Sequence, residues 1–89
     1  MLLKRNPEIK SQLLPDGHLV LFNEKTQWAH ILNPAGALFW ELCDGCCSQD
    51  EAIAMIQEIL ADNTPKELPQ EIYNHTKELV DAGLLQALN

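Results

Sequence analysis

The 89-residue chain is 46% apolar and carries six Lys and Arg against thirteen Asp and Glu, a formal net charge of −7. That size supports one small domain over residues 1–89, with a modest core at about 9–86 and no room for a second domain. The acidic excess falls almost wholly after Pro34, where Lys66 and Lys77 face ten carboxylates, so no basic footprint for phosphates exists beyond Lys4-Arg5 and nucleic acid is not expected as a partner.

In chain order, residues 1–8 read as a loose lead-in ending at Pro7. Only three apolar residues precede Lys4 and Arg5, too few for a signal peptide, and no segment is long enough for a membrane span. The expected location is therefore cytoplasmic, with no membrane partner. Ile9 to Leu14 predicts a first strand, closed by the turn residues Pro15-Asp16-Gly17. His18 to Asn23 predicts a second strand, and Glu24-Lys25-Thr26 turns the chain into a third, Gln27 to Leu32. Connections this short imply a three-stranded antiparallel meander.

Asn33 then offers a side-chain oxygen as a helix cap, and Pro34 suits a first helical position, where no amide donor is needed. A helix is predicted from Pro34 to Cys43, with Ala35, Leu38, Phe39 and Leu42 on its inner face. Asp44-Gly45 breaks it, leaving Cys46 and Cys47 in a turn. Ser48-Gln49-Asp50-Glu51 is a capping box for a second helix, Gln49 to Leu60, whose inner face is Ala52, Ile53, Ile56, Ile59 and Leu60. Thr64 to Leu68 reads as a separate turn, because Pro69 would clash with the carbonyl of Pro65 in a continuous helix. The last helix is predicted from near Pro69 to Ala82, with Ile72, Thr76, Leu79 and Val80 inward. Gly83 is placed to close it in a left-handed cap, with Leu84 folded back on the stripe. The expected core is Leu38, Phe39, Leu42, Ile53, Ile56, Leu79 and Val80.

Little in this pattern points to catalysis. Cys43 and Cys46 form a C-x-x-C followed by Cys47, but His18, His30 and His75 are scattered and supply no second ligand pair for zinc. The motif lies at a helix C-terminus, where the dipole does not lower a thiol pKa, and an odd cysteine count in a reducing compartment argues against disulfides. No metal or cofactor is expected. Ser11 and Ser48 are the serines, with no nucleophile elbow or phosphate loop around them, and His30 reads as a half-buried strand residue. Trp28 and Trp40 each fit either core packing or a recognition surface. The meander itself leaves strand edges, and an edge beside an apolar helix is where an extended peptide can pair.

Leu32-Asn33 between third strand and first helix, then Asp44-Gly45, Ser48 and finally Gly83-Leu84-Leu85, taken in this order, make the chain resemble the pyrroloquinoline quinone synthesis protein D family over roughly residues 13–86. The resemblance implies an α+β, winged-helix-like domain in which a three-stranded antiparallel meander is followed by three helices. It also implies a non-catalytic role: holding the leader segment of a ribosomally made precursor peptide and presenting it to a modifying enzyme, which in the namesake pathway is a radical S-adenosylmethionine enzyme. The leader adds as an antiparallel strand. Carried over by position, the peptide-binding residues are Thr26, Gln27, Trp28, Ala29, His30, Ile31 and Leu32 on the edge, with Tyr73, Thr76, Lys77 and Val80 on the last helix. Cys46-Cys47 and His30 depart from the family's usual residues. The protein is expected to be a monomer or weak dimer. Alternatives from other classes are a winged-helix regulatory or protein-interaction domain, disfavoured by the acidic last helix, and a thiol sensor using Cys43 and Cys46.

Overall fold

A computed structural model describes residues 2–88. The elements run β1 (Leu2–Arg5), β2 (Lys10–Leu13), β3 (Leu19–Asn23), β4 (Trp28–Leu32), α1 (Pro34–Leu42), β5 (Asp44–Ser48), α2 (Gln49–Leu60), a short 3-10 turn (Ala61–Asn63), α3 (Leu68–Asp81) and β6 (Leu85–Leu88). The expected meander is present as the sheet β2-β3-β4, antiparallel throughout, followed by the three helices of an α+β fold.

Capping residues set the helix starts as their chemistry requires. The Asn33 side chain accepts from the Gly36 amide at 2.8 Å, with Pro34 in the first turn of α1. Ser48 and Glu51 exchange side-chain and backbone hydrogen bonds, both 3.2 Å, at the start of α2. Helix α3 begins at Leu68, one residue before the expected start, and Pro69 occupies its first turn, where its missing N–H costs nothing. Gly83 takes φ +77°, a conformation that strains any residue with a Cβ, and Leu84 folds back into the core with its amide on the Leu79 carbonyl at 2.8 Å.

The second sheet, β5-β1-β6, corrects the sequence reading at both ends and in the middle. Residues 2–5 are its central strand, not a lead-in, and Leu3 is 1% exposed. Cys46 and Cys47 belong to a strand, not a turn; Leu3 pairs with Cys47 and Lys4 with Asp44, the mismatch being a bulge at Gly45 and Cys46. Residues 85–88 pair with β1 on its other side. Each partner lies some 40 or more residues away in sequence, so no local periodicity could reveal the pairing.

The core joins Leu3, Leu19, Leu21, Leu32, Phe39, Trp40, Ile53, Ile56, Leu68, Ile72, Leu79, Leu84 and Leu85. Of the seven core residues expected, Phe39, Ile53, Ile56 and Leu79 are buried, whereas Leu38, Leu42 and Val80 pack against the core only in part. The inner face of α1 is turned toward Trp40, which is 3% exposed. Ile59, on the last turn of α2, is 59% exposed and outside the core.

Candidate functional site

Strand β4 pairs with β3 on one side and is the outer strand of its sheet, so its far edge carries no partner among the described residues. Side chains alternate across it. Leu32 is buried and His30 half-buried on the helix side, in step with the buried Leu19 and Leu21 opposite them; Trp28 shares their parity but is 68% exposed at the strand's open end. Ala29 and Ile31 face outward beside Phe22 and Val20, and Ile31 is 67% exposed.

The hairpin that introduces β4 is fixed by its own side chains. Gln27 adopts φ +63° and lies in the turn, not in the strand, donating from Nε2 to the Glu24 carbonyl at 2.7 Å. The Thr26 hydroxyl accepts from the Trp28 amide at 3.3 Å. Thr26 thereby reaches the mouth of a hollow lined by Asn23, Thr26, Trp28, His30, Ala82 and Leu84, between the open end of β4 and the C-terminus of α3.

At the other end of β4 the same helix is tied down. Asn33 Nδ2 donates to the Glu71 carboxylate, and His75 Nε2 lies 3.8 Å from the same Glu71 oxygen. A Cβ on Gly36 would come within 3.3 Å of His75 Nε2 and 3.1 Å of Leu32 Cβ, so glycine permits this close approach of α1, β4 and α3. Between the two ends, Glu71 to Ala82 is eleven helical residues, about 16 Å, and Trp28 to Asn33 is five extended residues, also about 16 Å. These contacts near the two ends of β4 set the helix opposite in direction to the strand, with an open strand edge beside the space between them.

The residues expected on α3 lie on its other flank. Tyr73, Thr76, Lys77 and Val80 line a second hollow with Gln49, Asp81 and Ala87, toward β6 and the start of α2. Thr76 is buried there, donating to the Ile72 carbonyl at 2.8 Å and accepting from Gln49 Nε2 at 2.7 Å. Tyr73 donates to Asp50 at 3.1 Å, a bond that raises the phenol's pKa. The structure thus brings Thr26, Trp28 and His30 together with Ala82 and Leu84 around one hollow, and none of these five lines the hollow of the Tyr73 group. Helical phase carries the signal for this: Glu71, His75, Glu78 and Ala82 succeed one another at spacings of three or four, forming a row nearly opposite Tyr73, Lys77 and Val80.

The cysteines form no comparable site. Cys43 is buried, and burial pushes its thiol up to about 12, far from a reactive thiolate. Desolvation also raises Cys47, whose Sγ lies 3.9 Å from Met55 Sδ, while Cys46 is exposed. Among the described residues no group of three or more His, Cys, Asp or Glu is placed to hold a metal ion, and no helix is long and apolar enough to cross a membrane.

The model of the family described as coenzyme PQQ synthesis protein D (PqqD) matches residues 18–85. The chain belongs to the PqqD family. The matched segment begins just before β3 and ends in β6, so this PqqD-family match takes in β4, α3 and the space between them. No curated protein matches the sequence. Among solved structures, TbiB1 in complex with the TbiA(beta) leader peptide superposes with a TM-score of 0.72 at 18% identity, over 97% of this chain and 98% of that one. A heterocyclase in complex with substrate and cofactor matches at 0.60 and 21% identity, and the heterocyclase TruD at 0.61 and 18%. This chain spans only 11% of each heterocyclase, although 99% and 98% of its own length is covered. At these identities the likenesses establish a shared fold.

Proposed function

We propose that this PqqD-family protein is a non-catalytic recognition module that binds the leader segment of a ribosomally synthesised precursor peptide by strand addition and presents it to a modifying enzyme. The observation that carries the reading is the open edge of β4, with α3 meeting one end of the strand through Asn33 and Glu71 and the other across the hollow of Trp28, His30 and Ala82, a span of about 16 Å that fits roughly five residues of an added strand. Main-chain hydrogen bonds along such an edge give affinity without a charged centre, and alternate side chains entering the groove give selectivity. The groove is built from Trp28 and His30 on the strand and from the Glu71-His75-Glu78-Ala82 row on the helix, with Ala29 and Ile31 contributing edge backbone.

The fold shared with TbiB1, whose structure holds a leader peptide, supports the reading, as does membership of the PqqD family. The partner enzyme is one that modifies peptides. The same fold within two heterocyclases supports that pairing, and a radical S-adenosylmethionine enzyme is the partner implied by the namesake pathway. The module itself needs no cofactor, because strand addition requires none.

Titration of the isotopically labelled protein with a leader peptide from a precursor that it serves tests the assignment. Amide shifts should cluster on Trp28 to Leu32 and on Glu71 to Ala82, and Ala82→Trp should block binding by filling the hollow. Shifts centred on Tyr73, Lys77 and Val80 would move the site to the opposite flank of α3. Shifts confined to α2 or Cys43 to Cys47 would remove strand addition at β4 altogether.

A further inference from the structure

The two ends of the groove differ in chemistry. At the open end Trp28, Ala82 and Leu84 form the apolar side of a hollow completed by Asn23, Thr26 and His30. One helical turn back along the row stands Glu78, exposed and with its carboxylate in no hydrogen bond or ion pair among the described residues, whereas Glu71 beyond it is engaged by Asn33. Among the described residues no Lys or Arg pairs with Glu78. Strand β4 contains none, and Lys77, the one lysine of α3, lines the hollow on the far flank. Lys25, in the β3–β4 turn, and Lys10, in β2, are paired with Glu8 at 2.9 Å and Glu24 at 2.5 Å.

Resting on the strand-addition reading, we propose that the bound segment is both apolar and cationic, an apolar side chain entering the seat formed by Trp28, Ala82 and Leu84 and a Lys or Arg two residues toward its N-terminus reaching Glu78. The spacing follows from geometry. Glu78 and Ala82 are four helical residues apart, about 6 Å, and two residues of an extended strand span about 6.6 Å, with both side chains on the same face. The direction follows from the pairing. An added strand antiparallel to β4 runs from the Asn33 end toward the Trp28 end, so it passes Glu78 before it reaches the apolar seat. Glu78 is thus a specificity-determining residue, and the single ion pair it forms adjusts selectivity while main-chain pairing holds the peptide.

The experiment is a display selection of random ten-residue peptides, run at pH 8 in low salt on three immobilised proteins: the parent, Glu78→Lys and Ala82→Trp. The parent should enrich peptides with Lys or Arg two positions before an aliphatic or aromatic residue. Glu78→Lys should replace that cation with Asp or Glu, and Ala82→Trp should lose these peptides. For an enriched peptide resynthesised with Glu in place of the cation, binding to the parent should weaken about five- to tenfold. Peptides that depend on Ala82 yet show no charge bias, or the same bias on Glu78→Lys, would overturn the cationic assignment and leave strand addition standing. If no peptide is enriched, or enrichment is indifferent to Ala82→Trp, strand addition at β4 fails and this inference fails with it.

Discussion

Asn33 bonds Glu71 across the junction of β4, α1 and α3 while its own oxygen caps the Gly36 amide at 2.8 Å, so one side chain starts a helix and fixes a second helix against the edge strand. Asn33→Ala removes both bonds and should cost about 1–2 kcal/mol of stability in a urea titration. Asn33→Asp keeps the capping acceptor but sets a carboxylate against Glu71. Like charge there favours the protonated form in the folded state, so this variant should recover stability relative to the parent as pH falls from 7 toward 4. Equal stabilities of the two variants and the parent at pH 7 would show that the bond is incidental.

The first strand gives a second test, of packing. Leu3 is 1% exposed at the centre of the β5-β1-β6 sheet, so Leu3→Ala should cost about 2–5 kcal/mol. Leu42, packed only in part, should cost less than about 2 kcal/mol on the same change. The order of the two losses in matched denaturant titrations is the measurement. If Leu42→Ala costs more than Leu3→Ala, residues 2–5 do not belong to the folded core.

What the sequence discloses here, and what it hides, follows the range of the interactions. As caps, Asn33, Ser48 and Gly83 engage groups within five residues, and the helix ends they fix are legible because capping chemistry is local. The meander is legible for the same reason, its turns being short. The sheet β5-β1-β6 joins three distant segments, and Asp44-Gly45, a turn signal in isolation, becomes a bulged strand only because β1 lies beside it. The edge of β4 could be read as a strand edge. The flank of α3 that faces it could not be read from the stripe Ile72, Thr76, Leu79 and Val80, since the hydrophobic face marks the core and says nothing of which shoulder meets β4. The contact between Asn33 and Glu71 settles that phase.

Cys43 sets an alkaline limit. Its thiol titrates at about 12 in the folded protein against 9.0 when solvated, because burial disfavours the thiolate. Well below pH 9 it is neutral in both states and contributes no pH dependence. Between pH 9 and 12 the unfolded chain loses the proton while the folded chain retains it, so stability falls with rising pH by an amount that reaches about 4 kcal/mol. Cys43→Ala should flatten this part of the pH profile relative to the parent. In the native parent at pH 8 a thiol reagent should modify Cys46 rapidly and Cys43 only on unfolding; fast modification of Cys43 would contradict its burial.

The two tryptophans provide a direct reporter of the groove. Trp40 is 3% exposed within the core and Trp28 is 68% exposed at the open end of β4, so acrylamide should quench Trp28 strongly and Trp40 weakly in the free protein. A peptide strand laid between β4 and α3 covers the indole of Trp28 and excludes water from it. In a Trp40→Phe variant, which leaves Trp28 as the sole tryptophan, binding should shift the emission to shorter wavelength and reduce the quenching constant about twofold or more, the change expected when an exposed aromatic becomes buried at an interface. A Trp28→Phe variant isolates Trp40 and should show neither change. Should peptide binding leave Trp28 as accessible to quencher as before, the peptide does not occupy the space beside β4, wherever else on the molecule it is held.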